Sequence, residues 1–534
     1  MKALKIIVCF VLMGLGMSAC DSFLTTPPLD QISEGQWWQN KEQVEMMVKG
    51  AYQYIYDVNE IVLRDCMSDN ATHREKYKDV ANGTYTTQSS AVKDEWKYSA
   101  IAHLNYVLEG LEKSKGNISE DEYRRFNAEV RFIRATIYYD MAFFFGDVPL
   151  ITKTLSVAES RETSRQPRQE VIDFVFRELE EEVLPNINAI EVSESGRINE
   201  QVVNAYLSRI CLFEKKYDKV LAYTDKVIKS GKYELYSDYE GLFRPQSDET
   251  NKEVIFERQY SSPLYVHTLN RDLSPASSIY GGWSHVLPLQ ELVDEYECIN
   301  GHKVSECESL GCEYYQKRKD AETEIHRGEY DFRDPRLGAT IMWPFWEWKV
   351  GGKVQSRYGV DDPNSPDYVK QETFMTGYLI TKWVDLEGSY DDRTRGGKNL
   401  TILRYADVLL MRAEALIELD QNLDEAVSLI NQVRFRVNMP GIKLGLQNEL
   451  REKLRHERRI ETAFEGLRYF DIIRWRIADK VKSGKVYGAR LKAVSETMEN
   501  KFVEERIWDD KMFLFPVPQE ARDNNPNLTQ NKGW

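Results

Sequence analysis

The sequence is poor in the groups that announce catalysis or metal binding. It has 7 cysteines and no CxxC pair, so we expect no zinc site and at most one or two disulfides. It has 7 histidines. His456-Glu457 begins like a metalloprotease helix, but position 460 is Ile460 rather than a second histidine, and that reading fails. No GxSxG elbow, no P-loop and no GxGxxG occurs, which leaves triad hydrolysis and nucleotide cofactors without support. Positive charge is also lacking: the formal net charge is -15. Nucleic acid and anionic lipid both require concentrated positive charge, so neither is expected as the main partner. Long apolar runs are nearly absent, and the single one, Ile6 to Leu15, is too short to span a bilayer as a helix.

That one run belongs to a leader. Met1-Lys2-Ala3-Leu4-Lys5, the apolar run and then "GMSAC" have the layout of a secretory signal over residues 1–19. Ser18-Ala19-Cys20 resembles a bacterial lipobox, with Met17 where leucine is usual. Cys20 is then the expected lipid anchor, and residues 20–36, with Thr25-Thr26-Pro27-Pro28, are the expected tether. A soluble body on a leash follows. No Gly/Ser-rich or Pro-rich linker divides that body.

Helical periodicity dominates what remains. Leu403, Ala406, Leu410, Ala413 and Ile417 recur at spacings of three and four; after the polar turn Asp420 to Asn422, so do Leu423, Ala426, Ile430 and Val433. The segment around Ala205 to Cys211 and Tyr217 to Val227 repeats the design. Both pairs resemble tetratricopeptide repeats, although Ser208 and Glu414 stand where glycine is usual and Val220 where alanine is. Two further pairs are expected: "FNAEVRFIRATIYYDMAFFFG" with "QEVIDFVFRELEEEVLPNI", and Met46–Tyr56 with Trp96–Leu111. The expected fold is therefore mainly α, a scaffold of four tetratricopeptide-like units with a loop-rich insertion containing short strands. The boundaries are 37–232 for the N-terminal helical region, 233–399 for the insertion, rich in Gly, Pro and aromatics, and 400–534 for a C-terminal region with the last pair.

Five segments then carry a family likeness. The lipobox with "DSFLTTPP", "RFIRATIYYDMAFFFGDVPLI", "LRYADVLLMRAEAL", "LRHERRIETAFEGLRYFDIIRW" and "FLFPVPQEARDNNPNLTQNKGW" together resemble the SusD/RagB family of Bacteroidetes outer-membrane lipoproteins, in order along almost the whole chain. The resemblance implies capture of a glycan at the cell surface by a protein without hydrolytic activity. It also implies a partner, a SusC-like TonB-dependent transporter, and a lipid-anchored place on the outer membrane. No cofactor is implied. Peptide capture, as in the RagB branch, is the alternative. A glycoside hydrolase is more remote, since carboxylate spacing in sequence says nothing of spacing in space. The alternating charges of "HERRIETAFEG" read as a salt-bridged helix face.

A platform for sugar needs open aromatic faces beside polar groups. In the insertion, Tyr280 and Trp283 flank Gly281-Gly282, expected to be a flexible stretch that opens a ring to solvent, and Trp283 is the strongest single candidate. In "MWPFWEWK", Trp343, Trp346 and Trp348 are candidates; Trp346 and Trp348 have the same parity and are expected to share a face near an edge, with at least one of the three packing inward. From the N-terminal half, Asp69, Asn70 and Arg74 in "RDCMSDNATHREKY" lie in an expected polar loop, and Trp96 is at a position often aromatic in the family. "DLEGSYDD", Asp385 to Asp392, gathers carboxylates without an EF-hand register and reads as a solvated turn.

Overall fold

Some of the helices begin where a short polar side chain, Asn40, Ser119 or Asn199, satisfies the first backbone N–H groups, and the helices bury the stripes read above. A computed structural model describes residues 37–192, 194–245, 251–321, 327–370, 374–491 and 499–534. The expected signal, Cys20 and all of the tether lie outside the described residues. Helix α1 (Lys41–Ala51) opens on Asn40, which accepts a hydrogen bond from Gln43 N. It packs on α2 (Tyr98–Lys113), whose Ile101, Leu104, Leu108 and Leu111 are buried. Helix α3 (Glu120–Phe145) opens on a capping box of Ser119 and Glu122 and stops at Gly146, where φ is +71°. It packs on α4 (Arg168–Arg177). Asn199 caps α5 (Glu200–Phe213), which packs on α6 (Tyr217–Lys229). The fourth pair is α7 (Tyr405–Glu418) with α8 (Leu423–Arg436).

The fold is thus mainly α, and the described helices form the four pairs that periodicity indicates. Helix α6 packs directly on α7, so the third and fourth pairs stack as neighbours although the whole insertion separates them in sequence. Helix α9 (Gln447–Glu461) lies against α7 and α8, and α10 (Arg468–Arg474) follows it. No described helix is long and apolar enough to cross a membrane.

Among the described residues, the strands form five antiparallel two-stranded sheets. β1 (Ala71–His73) pairs with β3 (Val286–Pro288), and β2 (Val254–Arg258) pairs with β8 (Leu400–Arg404). The second of these ties the early part of the insertion to its end, because β8 follows the insertion and leads directly into α7. β4 (Ile341–Met342) pairs with β7 (Leu379–Ile380), and β5 (Glu347–Val350) with β6 (Lys353–Arg357). The antiparallel pair β9 (Gly484–Arg490) and β10 (Asn500–Arg506) lies in the C-terminal region, for which the sequence pattern indicates a helical pair but no strand.

The charges of "HERRIETAFEG" do form ion pairs, but inside the protein. Glu461 Oε1 accepts from Arg404 Nη1 at 2.6 Å and from Arg436, and its Oε2 accepts from Arg336 Nη1 at 2.9 Å. Glu457 Oε2 accepts from Arg434 Nη1 at 2.8 Å, and Arg404 Nη1 also donates to Glu253 at 2.8 Å. Lys382 and Arg404 share Glu465, each donating at 2.7 Å. The side chains of Arg336, Arg404, Glu253 and Glu461 are all buried. The departure from the repeat pattern at Glu414 has a similar cause: its carboxylate is buried and takes Arg474 Nη2 at 2.7 Å and Trp475 Nε1 at 2.8 Å.

Burial alone would raise the carboxyl pKa of Glu461, but Arg436, Arg404 and Arg336 outweigh it and hold the group well below the usual range. Its contribution is therefore complete above the unfolded carboxylate range and is lost as pH falls below about 4. We expect Glu461→Gln to lower unfolding free energy by about 3–5 kcal/mol, because three guanidinium groups lose their shared charge. Urea denaturation against pH checks this: the fall in stability below pH ~4 should be shallower in the variant.

Candidate functional site

Two segments far apart in sequence meet at one short sheet. In β1–β3, Ala71 faces Pro288, Thr72 faces Leu287 and His73 faces Val286. Beyond the strands the pairing continues through Arg74 N to His285 O at 3.1 Å. Arg74 and the Trp283 loop thus emerge side by side, and Arg74 Nη1 donates to Trp283 O at 2.8 Å.

The Trp283 loop is held along its length. Trp283 N donates to Arg271 O at 2.7 Å, Gly282 N to Pro275 O at 2.9 Å and Ser284 N to Ser274 O at 3.1 Å. Asp367 receives Ala276 N at 2.7 Å. Gly282 is required for close approach, since a Cβ there would stand 2.1 Å from Ser274 O. The Gly281-Gly282 pair therefore serves a tight turn, with Gly281 at φ +55°, and not the looseness expected from sequence.

Trp283 is 43% exposed, among the few large apolar side chains left open. The Arg271 guanidinium lies 4.1 Å from the ring centroid and that of Arg393 6.0 Å away. The His285 ring stands 5.4 Å from Trp283 and 5.4 Å from His73. Arg393 Nη1 also donates to Gly281 O at 2.6 Å. Asp272 accepts from Arg271 Nε at 2.8 Å and orients that guanidinium. Burial, with the neighbouring His285, pushes the His73 imidazole down to about 4, and burial lowers His285 also. Both are neutral near pH 7, so the positive charge around the ring comes from Arg74, Arg271 and Arg393. An indole face with guanidinium donors around it can stack on a sugar ring and bind its hydroxyls.

The other candidates lie elsewhere. Asp69 is buried, and Arg468 donates to both its oxygens at 2.8 Å each. Asn70 is buried too, donating to Asp65 Oδ1 at 2.8 Å and accepting from Arg459 Nε at 3.0 Å. The expected polar loop is therefore mostly an interior connection that ends in a strand, and of these three candidates only Arg74 reaches the surface. Tyr280 is buried and gives its hydroxyl to Asp385. Asp385 is buried as well and takes Ser389 Oγ at 3.1 Å, so "DLEGSYDD" starts as an anchor for the Trp283 loop and not as a solvated turn. Trp348 is buried against Tyr280, ring centroids 6.2 Å apart.

Trp346 and Trp348 do not share a face. Phe345 has φ +64° and Trp346 N closes a turn on Trp343 O at 3.0 Å, so the strand starts only at Glu347 and parity does not carry across. Trp346 instead meets Trp343 edge-on at 4.6 Å, and Trp343 stacks on Tyr330 at 5.1 Å; both tryptophans are half-buried. Trp96 is half-buried against Phe145, at 4.9 Å, in the packing of the helical core. Sequence reasoning missed Arg271, His285 and Arg393. No period marks them: His285 continues the pairing of the three-residue strands β1 and β3, and Arg271 N donates to Arg393 O at 3.1 Å, contacts too short in sequence to show as a pattern.

A separate cleft of about 660 Å³ has Lys49, Tyr52, Arg197, Arg258 and Tyr265 among its walls, and none of the candidates lines it. Its charges are cross-linked already: Glu194 takes Lys49 Nζ at 2.8 Å and Arg197 Nη1 at 2.9 Å. The open ring at Trp283 is the better platform.

Residues 252–534 match the model of the SusD family, and residues 26–212 match a second model described as "Starch-binding associating with outer membrane". SusD-like protein P38 of Formosa agariphila is 25% identical over 501 residues, covering 87% of this chain and 90% of that protein. The starch-binding protein SusD of Bacteroides thetaiotaomicron is 21% identical, covering 97% of this chain and 90% of its own length. Among solved structures, a SusD-like carbohydrate binding protein of Bacteroides fragilis superposes with a TM-score of 0.80 at 26% identity, over 92% of this chain and 100% of that one.

The two kinds of tryptophan separate by stability. Trp348→Ala should lower unfolding free energy by about 3–5 kcal/mol, since it empties a buried site. Trp283→Ala should change it by no more than about 1 kcal/mol. Urea midpoints at constant m-value check both.

Proposed function

The chain belongs to the SusD family, and from that premise and the setting of Trp283 we propose that it captures an oligosaccharide or polysaccharide at the cell surface. It holds the ligand without cleaving it and passes it to a SusC-like TonB-dependent transporter. Lipid on Cys20 tethers the body to the outer membrane, with 20–36 as the leash. The observation that carries the reading is the half-open Trp283 ring with Arg271 and Arg393 beside it and Arg74 on its backbone carbonyl, on a tightly hydrogen-bonded loop. A rigid aromatic face loses little entropy on binding, and guanidinium groups direct hydroxyls or a sugar carboxylate. The names of the relatives, a starch-binding protein and a carbohydrate binding protein, favour glycan over peptide as the ligand class. Peptide capture would draw mainly on backbone pairing at a sheet edge, whereas the groups around Trp283 are side chains.

The test is mobility in native gels cast with neutral and acidic polysaccharides, followed by calorimetry on any that retards the chain. Retardation without new reducing ends is the expected result. Trp283→Ala should weaken binding by about 30-fold, the ~2 kcal/mol typical of a central aromatic contact. Binding unaffected by that change would place the ligand elsewhere.

A further inference from the structure

Four donor side chains converge in the insertion, at Cys298-x3-His302-x4-Cys307-x4-Cys312. The sequence reading expected no zinc site because no CxxC pair occurs; the fold brings these residues together by two turns instead. In the first, Gly301 N donates to Cys298 O and Cys298 N to His302 O, both at 2.8 Å, with Gly301 at φ +76°. In the second, Cys312 N donates to Cys307 O at 2.9 Å. An antiparallel bridge from Cys298 to Arg333 fixes the first turn on the body of the insertion. The sulfur atoms and an imidazole nitrogen of the four residues all lie within 4.8 Å of one another.

The separations are those of ligands around one ion. Cys298 Sγ and Cys312 Sγ are 3.8 Å apart. Two thiolates bound at ~2.3 Å to a tetrahedral ion stand about 3.8 Å apart, far beyond the ~2.05 Å of a disulfide. All three cysteines are buried thiols. They form a cluster of their own with Tyr314 and Tyr315 against it, whereas Cys66 and Cys211 are ordinary members of the main core. His302 Nδ1 is buried without a well-formed hydrogen bond, and the Asn300 amide lies 3.8 Å from Cys312 Sγ, where a second donor steadies a thiolate.

We propose that Cys298, His302, Cys307 and Cys312 bind one zinc ion as a closed, four-coordinate structural site. Three soft sulfurs and one imidazole select zinc over hard cations, and four protein ligands leave no position for a substrate. The ion fastens the start of the helix Glu313–Ala321, directly after Cys312, to the strand edge at Cys298, and so staples the insertion where its apolar packing is thin.

The test uses the full chain, purified without chelator, incubated with zinc and dialysed, with metal measured by plasma mass spectrometry. One zinc per chain is expected. Cobalt added to the metal-free chain should give the absorption of tetrahedral thiolate-bound cobalt, bleached by zinc. Cys307→Ser and Cys312→Ser should lose stoichiometric metal, and His302→Cys, which keeps four soft ligands, should retain it. If the serine variants fail to fold, the cobalt spectrum of the unaltered chain decides. A chain that takes up no metal while Cys298, Cys307 and Cys312 react freely with a maleimide would overturn the proposal. So would a Cys298–Cys312 disulfide in peptide maps, or undiminished zinc in Cys312→Ser.

Discussion

The buried ion network of α9 and α10 is the constraint on which the rest depends. Its members come from distant parts of the chain: Glu253, Arg336 and Lys382 in the insertion, Arg404 just after it, and Arg434 and Arg436 on the last helical pair. A buried ion pair adds little net stability compared with apolar packing, because desolvation offsets most of its Coulomb energy. Its effect is on specificity. A guanidinium removed from water must find its carboxylates in one geometry, so each pair permits one arrangement of the segments that carry it. An insertion without helical stripes is thereby held in register on the helical scaffold.

The same two helices reach the candidate site from behind. Arg468 holds Asp69 and Arg459 holds Asn70, immediately before β1. β1 pairs with β3, and from its far end Arg74 bonds the carbonyl of Trp283. "HERRIETAFEGLRYF" is thus neither a surface charge stripe nor a catalytic motif. It is the support that aims a loop some 180 residues earlier in the chain. Tyr280 and Asp385 support the loop from the other side, with Trp348 beneath. Several residues that looked like ligand contacts in sequence are therefore what keeps Trp283 and its guanidinium neighbours in place.

The helical pairs were legible because a period of 3.6 repeated over a dozen residues leaves its mark at every turn. The insertion was legible only as a change of composition. Its decisive contacts come from strands of two to five residues and from backbone turns at Gly281, Phe345 and Gly301, none of which has a period. Exposure at Trp283 was inferred correctly, though the glycines beside it act by close approach. Parity misled at Trp346 and Trp348 because a positive φ at Phe345 resets the strand. The cysteines show the opposite case: spacings of three and four residues between Cys298, His302, Cys307 and Cys312 carry no familiar signature, yet two turns make them neighbours.

Nuclear magnetic resonance of the chain labelled with ¹⁵N at its tryptophan indoles, titrated with an oligosaccharide from a polysaccharide that retards it, tests the central claim most directly. The account predicts that the Trp283 indole resonance shifts on saturation while those of Trp348 and Trp96 hold still. A bound ligand that leaves Trp283 unmoved and shifts another indole would contradict it.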